Sequence, residues 1–153
     1  MNLKFSFSWV GLVVFALPMF INIAYAVFPP VGESAEAKNT VKWLEAVEGT
    51  TRIAYLAALT LLVSREPLEL KSAWMYAAAV FLVLYYAVWM RYFIGGRDVS
   101  LLGKSFLFVP IPLAVFPVLY YLLAAIWMKN IPAAVIMAVF GAAHITVSVN
   151  SFR

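Results

Sequence analysis

Residues 71–91 read KSAWMYAAAVFLVLYYAVWMR, nineteen uncharged residues from Ser72 to Met90 bracketed by Lys71 and Arg91. At 1.5 Å per helical residue such a run matches a hydrocarbon core of ~30 Å. Trp74 and Tyr76 stand at one end and Tyr85, Tyr86 and Trp89 near the other, where amphipathic rings meet the two membrane interfaces. The segment predicts a transmembrane helix over about 72–93, closed by the turn residues Gly95 and Gly96.

Upstream, Phe5 to Gly32 carries no charge, which predicts a helix over about 7–28. Lys4 and Ala24-Tyr25-Ala26 imitate a secretory signal, but the run is long for a signal core and Phe28-Pro29-Pro30 reads as a helix stop. A short loop follows at 31–39. From Thr40, the charges Lys38, Lys42, Glu45, Glu48 and Arg52 recur at spacings of three and four, an amphipathic lead-in lying at the interface. Only Ile53 to Ser64 is then charge-free, so a second helix over about 47–64 must carry Glu48 and Arg52 into the headgroup zone or deeper.

Downstream, Ser105 to Met128 is uncharged but broken by Pro110, Pro112 and Pro117. A helix over about 110–128, starting at a proline and kinked at Pro117, is expected, with a re-entrant start as the alternative. Lys129-Asn130 makes a tight turn, and Pro132 suits the first turn of a fifth helix over about 131–150, antiparallel to the fourth. Trp9, Trp43, Trp74, Trp89 and Trp127 all fall near these expected helix ends. The fold class is thus all-α, a polytopic membrane bundle of five transmembrane helices forming one domain over 1–153. Alanines at four-residue spacing (Ala134, Ala138, Ala142; Ala73, Ala77) are expected to let helices, or two copies of the chain, approach closely.

Composition agrees: 65% of residues are hydrophobic and 12% charged, too much apolar surface for a water-soluble domain of 153 residues to hide. The absence of cysteine removes disulfides, thiolate metal sites and cysteine nucleophiles. The net charge of +4 is scattered, which suits anionic headgroups and not nucleic acid. Four cations (Lys4, Arg65, Lys71, Lys129) fall on the amino-terminal side and seven (Lys38, Lys42, Arg52, Arg91, Arg97, Lys104, Arg153) on the other. The positive-inside rule then sets the amino terminus outside and the carboxyl terminus in the cytoplasm, in a cell membrane.

Charged and polar residues inside a bilayer are expensive and are the candidates for function. Glu48 and Arg52 stand one turn apart as an acid–base pair, serving either headgroup solvation or a ligand clamp on an inner wall. His144, the lone histidine, lies near the middle of the fifth helix on the face of Met137, Gly141, Ser148 and Ser151. It either hydrogen-bonds a neighbouring helix or serves as a ligand contact or proton relay. Arg91, with Arg97, Lys104 and the Gly95-Gly96 turn, reads as flank charge or as a small anion pocket. Asn22 in the first helix completes the ligand-binding set with His144, Arg52, Glu48, Arg91 and Ser148. No metal or cofactor is expected, since one histidine without cysteines leaves only scattered carboxylates. Gly103-Lys104-Ser105 lacks the earlier glycine and strand of a phosphate loop.

In size, span count and aromatic content the chain resembles the translocator protein family of five-helix ligand-binding membrane proteins. Where that family carries a tryptophan-proline-proline loop after its first helix, this chain has Phe28-Pro29-Pro30 and then the charged lead-in. The resemblance implies architecture only, and no functional residue comes with it. The expected function is non-enzymatic binding of a small amphipathic or anionic molecule in an inter-helix cavity, extending to its transport. The alternative is an accessory subunit packed against a larger membrane partner. An intramembrane enzyme ranks third, since no nucleophile, base and orienting group assemble from the sequence.

Overall fold

A computed structural model describes residues 2–31 and 41–152, with no side-chain account of residue 152. The loop expected at 31–39, apart from Val31, lies outside the described residues, as do Lys38, Thr40 and Arg153.

The chain is helical, with β1 (Leu3–Phe5), α1 (Trp9–Val27), α2 (Lys42–Leu61), β2 (Leu62–Ser64), α3 (Ala73–Ile94), the single turn α4 (Ser100–Gly103), α5 (Pro112–Trp127) and α6 (Ile131–Phe152). Three of these, α1, α3 and α6, are long and apolar enough to cross a membrane. The lead-in is not a separate interfacial segment. Lys42 begins one continuous helix, because its charges share a face that the same 3.6-residue period carries on into Tyr55 and Leu59. Nor does that helix reach 64: residues 62–64 leave it to pair antiparallel with residues 3–5, Leu3 opposite Ser64 and Phe5 opposite Leu62.

Local chemistry sets the other ends. Ser8 caps α1 by accepting from Gly11 N at 2.9 Å, and Ser72 caps α3 from Trp74 N. Pro112 occupies the first turn of α5 after Ile111 in a left-handed conformation (φ 48°), so the expected proline start falls at Pro112, and Pro117 is carried inside the helix. Asn130 caps α6 by accepting from Ala133 N at 3.1 Å.

The long helices alternate in direction. α3 packs along α5, α5 along α6 and α6 along α2, while α1 closes the circuit against α2, α3 and α5. The close approaches are made by glycine: a Cβ on Gly11 would lie 2.1 Å from the Leu59 carbonyl oxygen, and one on Gly141 would lie 2.5 Å from a Val118 methyl. Within the bundle the alanine repeats do not do this, since Ala73, Ala138 and Ala142 are exposed and only Ala134 of the α6 set is buried. Four residues advance a helix by 400°, so each step drifts ~40° and the third alanine has turned out of the interface.

Five tyrosine hydroxyls bind α1 to the rest. Tyr120 donates to Val14 O at 2.9 Å, Tyr121 to Phe15 O at 2.8 Å, Tyr86 to Leu17 O, Tyr85 to Asn22 Oδ1 at 2.7 Å and Tyr92 to Phe28 O at 3.5 Å. Pro18 explains the first: it has no N–H for Val14, four residues back, and its ring strains the adjoining turn. In a bilayer no water replaces that bond, so a neighbouring helix must.

Candidate functional site

A cavity of about 340 Å³ lies at the centre of the five long helices, and every one of them contributes to its wall. Phe15, Met19, Asn22 and Tyr25 come from α1, Arg52 and Tyr55 from α2, Tyr85 and Trp89 from α3, Leu113, Pro117 and Tyr121 from α5, and Met137, Phe140 and His144 from α6. The volume is in the range of small-molecule pockets. Seven of these fourteen residues carry benzenoid rings, so the wall offers flat, polarisable surfaces.

The polar groups converge at the α2–α6 seam. Glu48 accepts from Arg52 Nη2 on its own helix, and the same oxygen, Oε1, lies 3.1 Å from His144 Nδ1 of α6. A carboxylate can only accept, so Nδ1 carries the hydrogen and a neutral ring presents its Nε2 lone pair. Phe140 lies parallel to the imidazole with centroids 5.0 Å apart, and the Arg52 guanidinium stands 5.8 Å from the Phe140 centroid. The glutamate side chain is 12% exposed and the arginine 57%, so the acid is buried between two cations or cation precursors while the arginine reaches outward. Across the cavity Asn22 is held by Tyr85, and the buried indole N–H of Trp89 has no acceptor among the described residues. Leu113 and Pro117 both face the cavity, and Pro117 has no N–H for the Leu113 carbonyl.

Of the residues singled out from the sequence, Arg52, His144 and Asn22 line this cavity, and Glu48 bonds two of them. Ser148 is half-buried one turn beyond His144 and is not in the wall, while Ser151 bonds back to Val147 of its own helix. Arg91 is elsewhere. Its guanidinium donates to the carbonyls of Leu101 (3.0 Å), Lys104 (2.8 Å) and Ser105 (3.0 Å) and lies 5.5 Å from the Phe106 centroid, fastening the α3–α5 connection. Nη1 and Nη2 are thus committed to backbone carbonyls, while the buried Nε has no partner among the described residues. Trp89 is buried in the cavity wall, with four more helical residues between it and Ile94.

The sequence reading missed Tyr55, Tyr85, Trp89 and Phe140 as wall residues. For Tyr55 the signal was present: Glu48, Arg52 and Tyr55 follow the i, i+4, i+7 spacing of one face. No group of three metal-type ligands lies together among the described residues. Compared with models of known protein families, with curated proteins and with solved structures, the chain matches none.

Proposed function

We infer that the protein is a five-span membrane bundle that binds a small amphipathic or anionic molecule in the central cavity. The observation that carries this reading is the convergence of all five long helices on one partly open space, where Arg52 is the charged lining residue among those described and Glu48 ties it to His144.

Two helices need argument as spans. α5 has sixteen residues, about 24 Å at 1.5 Å each, but it is packed between α3 and α6 and so shares their depth. α2 carries Lys42, Glu45, Glu48 and Arg52. The first two lie in its opening turn, and of the other two Glu48 is held between Arg52 and His144 while the outward-reaching Arg52 is paired to it, and that pairing offsets part of the ~2.5–3.5 kcal/mol insertion penalty of each charge. The excess of cations at the α2 start and α3 end supports an amino terminus outside and a cytoplasmic carboxyl terminus in a cell membrane.

The test is purification in mild detergent followed by a thermal-shift screen of aromatic acids, amides and amphiphiles. Expected is a class of compounds whose stabilisation falls at least tenfold in affinity on Arg52→Gln or His144→Gln. A protein that binds none of them, and instead co-purifies with a stoichiometric membrane partner, would be an accessory subunit.

A further inference from the structure

Resting on that reading of the cavity, we propose that the ligand is an aromatic weak acid taken up together with a proton, which comes to rest on His144 Nε2.

The argument is one of charge and donor count. Glu48 contributes one negative charge and Arg52 one positive, and an imidazole bonded through Nδ1–H to Glu48 carries no charge until Nε2 takes a proton, so with Nε2 unprotonated the seam sums to zero. A carboxylate entering this space without a proton would leave the site at a net charge of −1, since Arg52 is already balanced by Glu48 and no other wall residue carries a positive charge while His144 is neutral. It would also meet the wrong partner, because Nε2 presents a lone pair to a group that can only accept. Nε2 has no partner of its own among the described residues. The neutral acid removes both obstacles. Its O–H donates to Nε2, the O–H bond breaks as the N–H bond forms, and the product is a carboxylate against an imidazolium, with Glu48 and Arg52 still paired and the total charge still zero. Other titratable groups facing this space are phenols, Tyr55 from α2, Tyr121 from α5, Tyr85 from α3 and Tyr25 from α1, and none is a cation able to replace the proton. The aromatic part follows from the wall, where Phe15, Tyr25, Tyr85, Trp89 and Phe140 offer stacking faces and edges.

The probes are 2-naphthoic acid and its isosteric neutral amide, titrated calorimetrically into the protein in nanodiscs, with empty nanodiscs subtracted. Each titration is run in two buffers of different ionisation enthalpy. For the acid at pH 7 to 8, well above an ordinary carboxyl pKa of about 4, the expected result is uptake of about one proton per molecule bound and a tenfold loss of affinity per pH unit. The amide should bind with no proton uptake and no slope. His144→Gln should abolish proton uptake while the amide still binds, which shows the fold intact. Glu48→Gln leaves Arg52 uncompensated, so the naphthoate anion should then bind without a proton. Acid binding with no proton uptake in the unmodified protein overturns the inference and leaves the cavity reading standing. Retention of uptake in His144→Gln overturns His144 as the acceptor. Failure of both acid and amide to bind removes the inference and the reading beneath it together.

Discussion

The Tyr120 hydroxyl of α5 donates to the Val14 carbonyl of α1 at 2.9 Å, and Val14 is the residue that Pro18 leaves without a helical N–H. The bond is therefore a repair as well as a link between helices. Removing it by Tyr120→Phe orphans a buried carbonyl, which costs about 1–3 kcal/mol in protein interiors, against a mean near 0.6 for interhelical bonds in membrane bundles. A loss of about 1 kcal/mol is expected in reversible unfolding. In a Pro18→Ala background the new N–H satisfies Val14, so the same change should cost much less, and a double-mutant cycle measures the difference.

Asn130 is wholly buried at the α5–α6 turn and donates to Ala58 O and Leu62 O at 2.8 Å each while its Oδ1 caps α6. Asn130→Ala forfeits a cap of about 1 kcal/mol and leaves carbonyls unpaired, about 2–4 kcal/mol together. Aspartate is as good a helix cap, yet Asn130→Asp should be no more stable than the alanine variant, since it sets a carboxylate against two carbonyl oxygens. Thermal unfolding of both variants in detergent decides the point.

Gly11 and Gly141 differ in what a methyl would strike. Gly11→Ala drives Cβ into the Leu59 backbone and should destabilise by roughly 1–3 kcal/mol with no simple compensation. Gly141→Ala meets only the Val118 side chain, so a second change, Val118→Ala, should recover much of the loss. Equal rescue of both glycine variants by Val118→Ala would contradict this assignment.

Arg91 should separate from the cavity residues in any binding experiment. Arg91→Gln is expected to quicken proteolysis between residues 97 and 108 while leaving the affinity of a cavity ligand within twofold. Arg91→Lys should not restore protection, because an ammonium cannot span three carbonyls as the guanidinium fork does.

Alkali should loosen the strand end of the bundle. Hydrogen bonds that the exposed Lys129 ammonium donates to the carboxylates of Glu66 and then Glu69 hold it above its ordinary value of 10.5. A raised folded pKa means the contribution is complete below pH 10.5 and fades as pH climbs through the folded value. The unfolding midpoint of the native chain should drop above about pH 10.5 more steeply than that of Lys129→Met.

Much of the helical layout was legible before any fold was known. The prolines at 112 and 132 mark helix starts by local chemistry, and the uncharged runs gave α1, α3 and α6 to within two residues of the structure. Residues 62–64 were read as helix because their strand pairing depends on residues 3–5, some sixty positions away, and leaves no local trace. The cavity was legible only in pieces. His144, Arg52, Glu48 and Asn22 stood out as polar groups in apolar surroundings, but aromatic residues in an aromatic-rich chain do not announce which of them share a wall.

The order of amino acids alone determined the oily rods and their ends, because hydropathy, proline and capping act over a few neighbouring residues. Tertiary structure decided which carbonyls the tyrosines repair, that Arg91 serves the backbone, and that the Glu48–Arg52 pair finds His144 across a helix seam. Those outcomes depend on distances between residues remote in the chain, set by how glycine contacts and helix drift bring the five rods together.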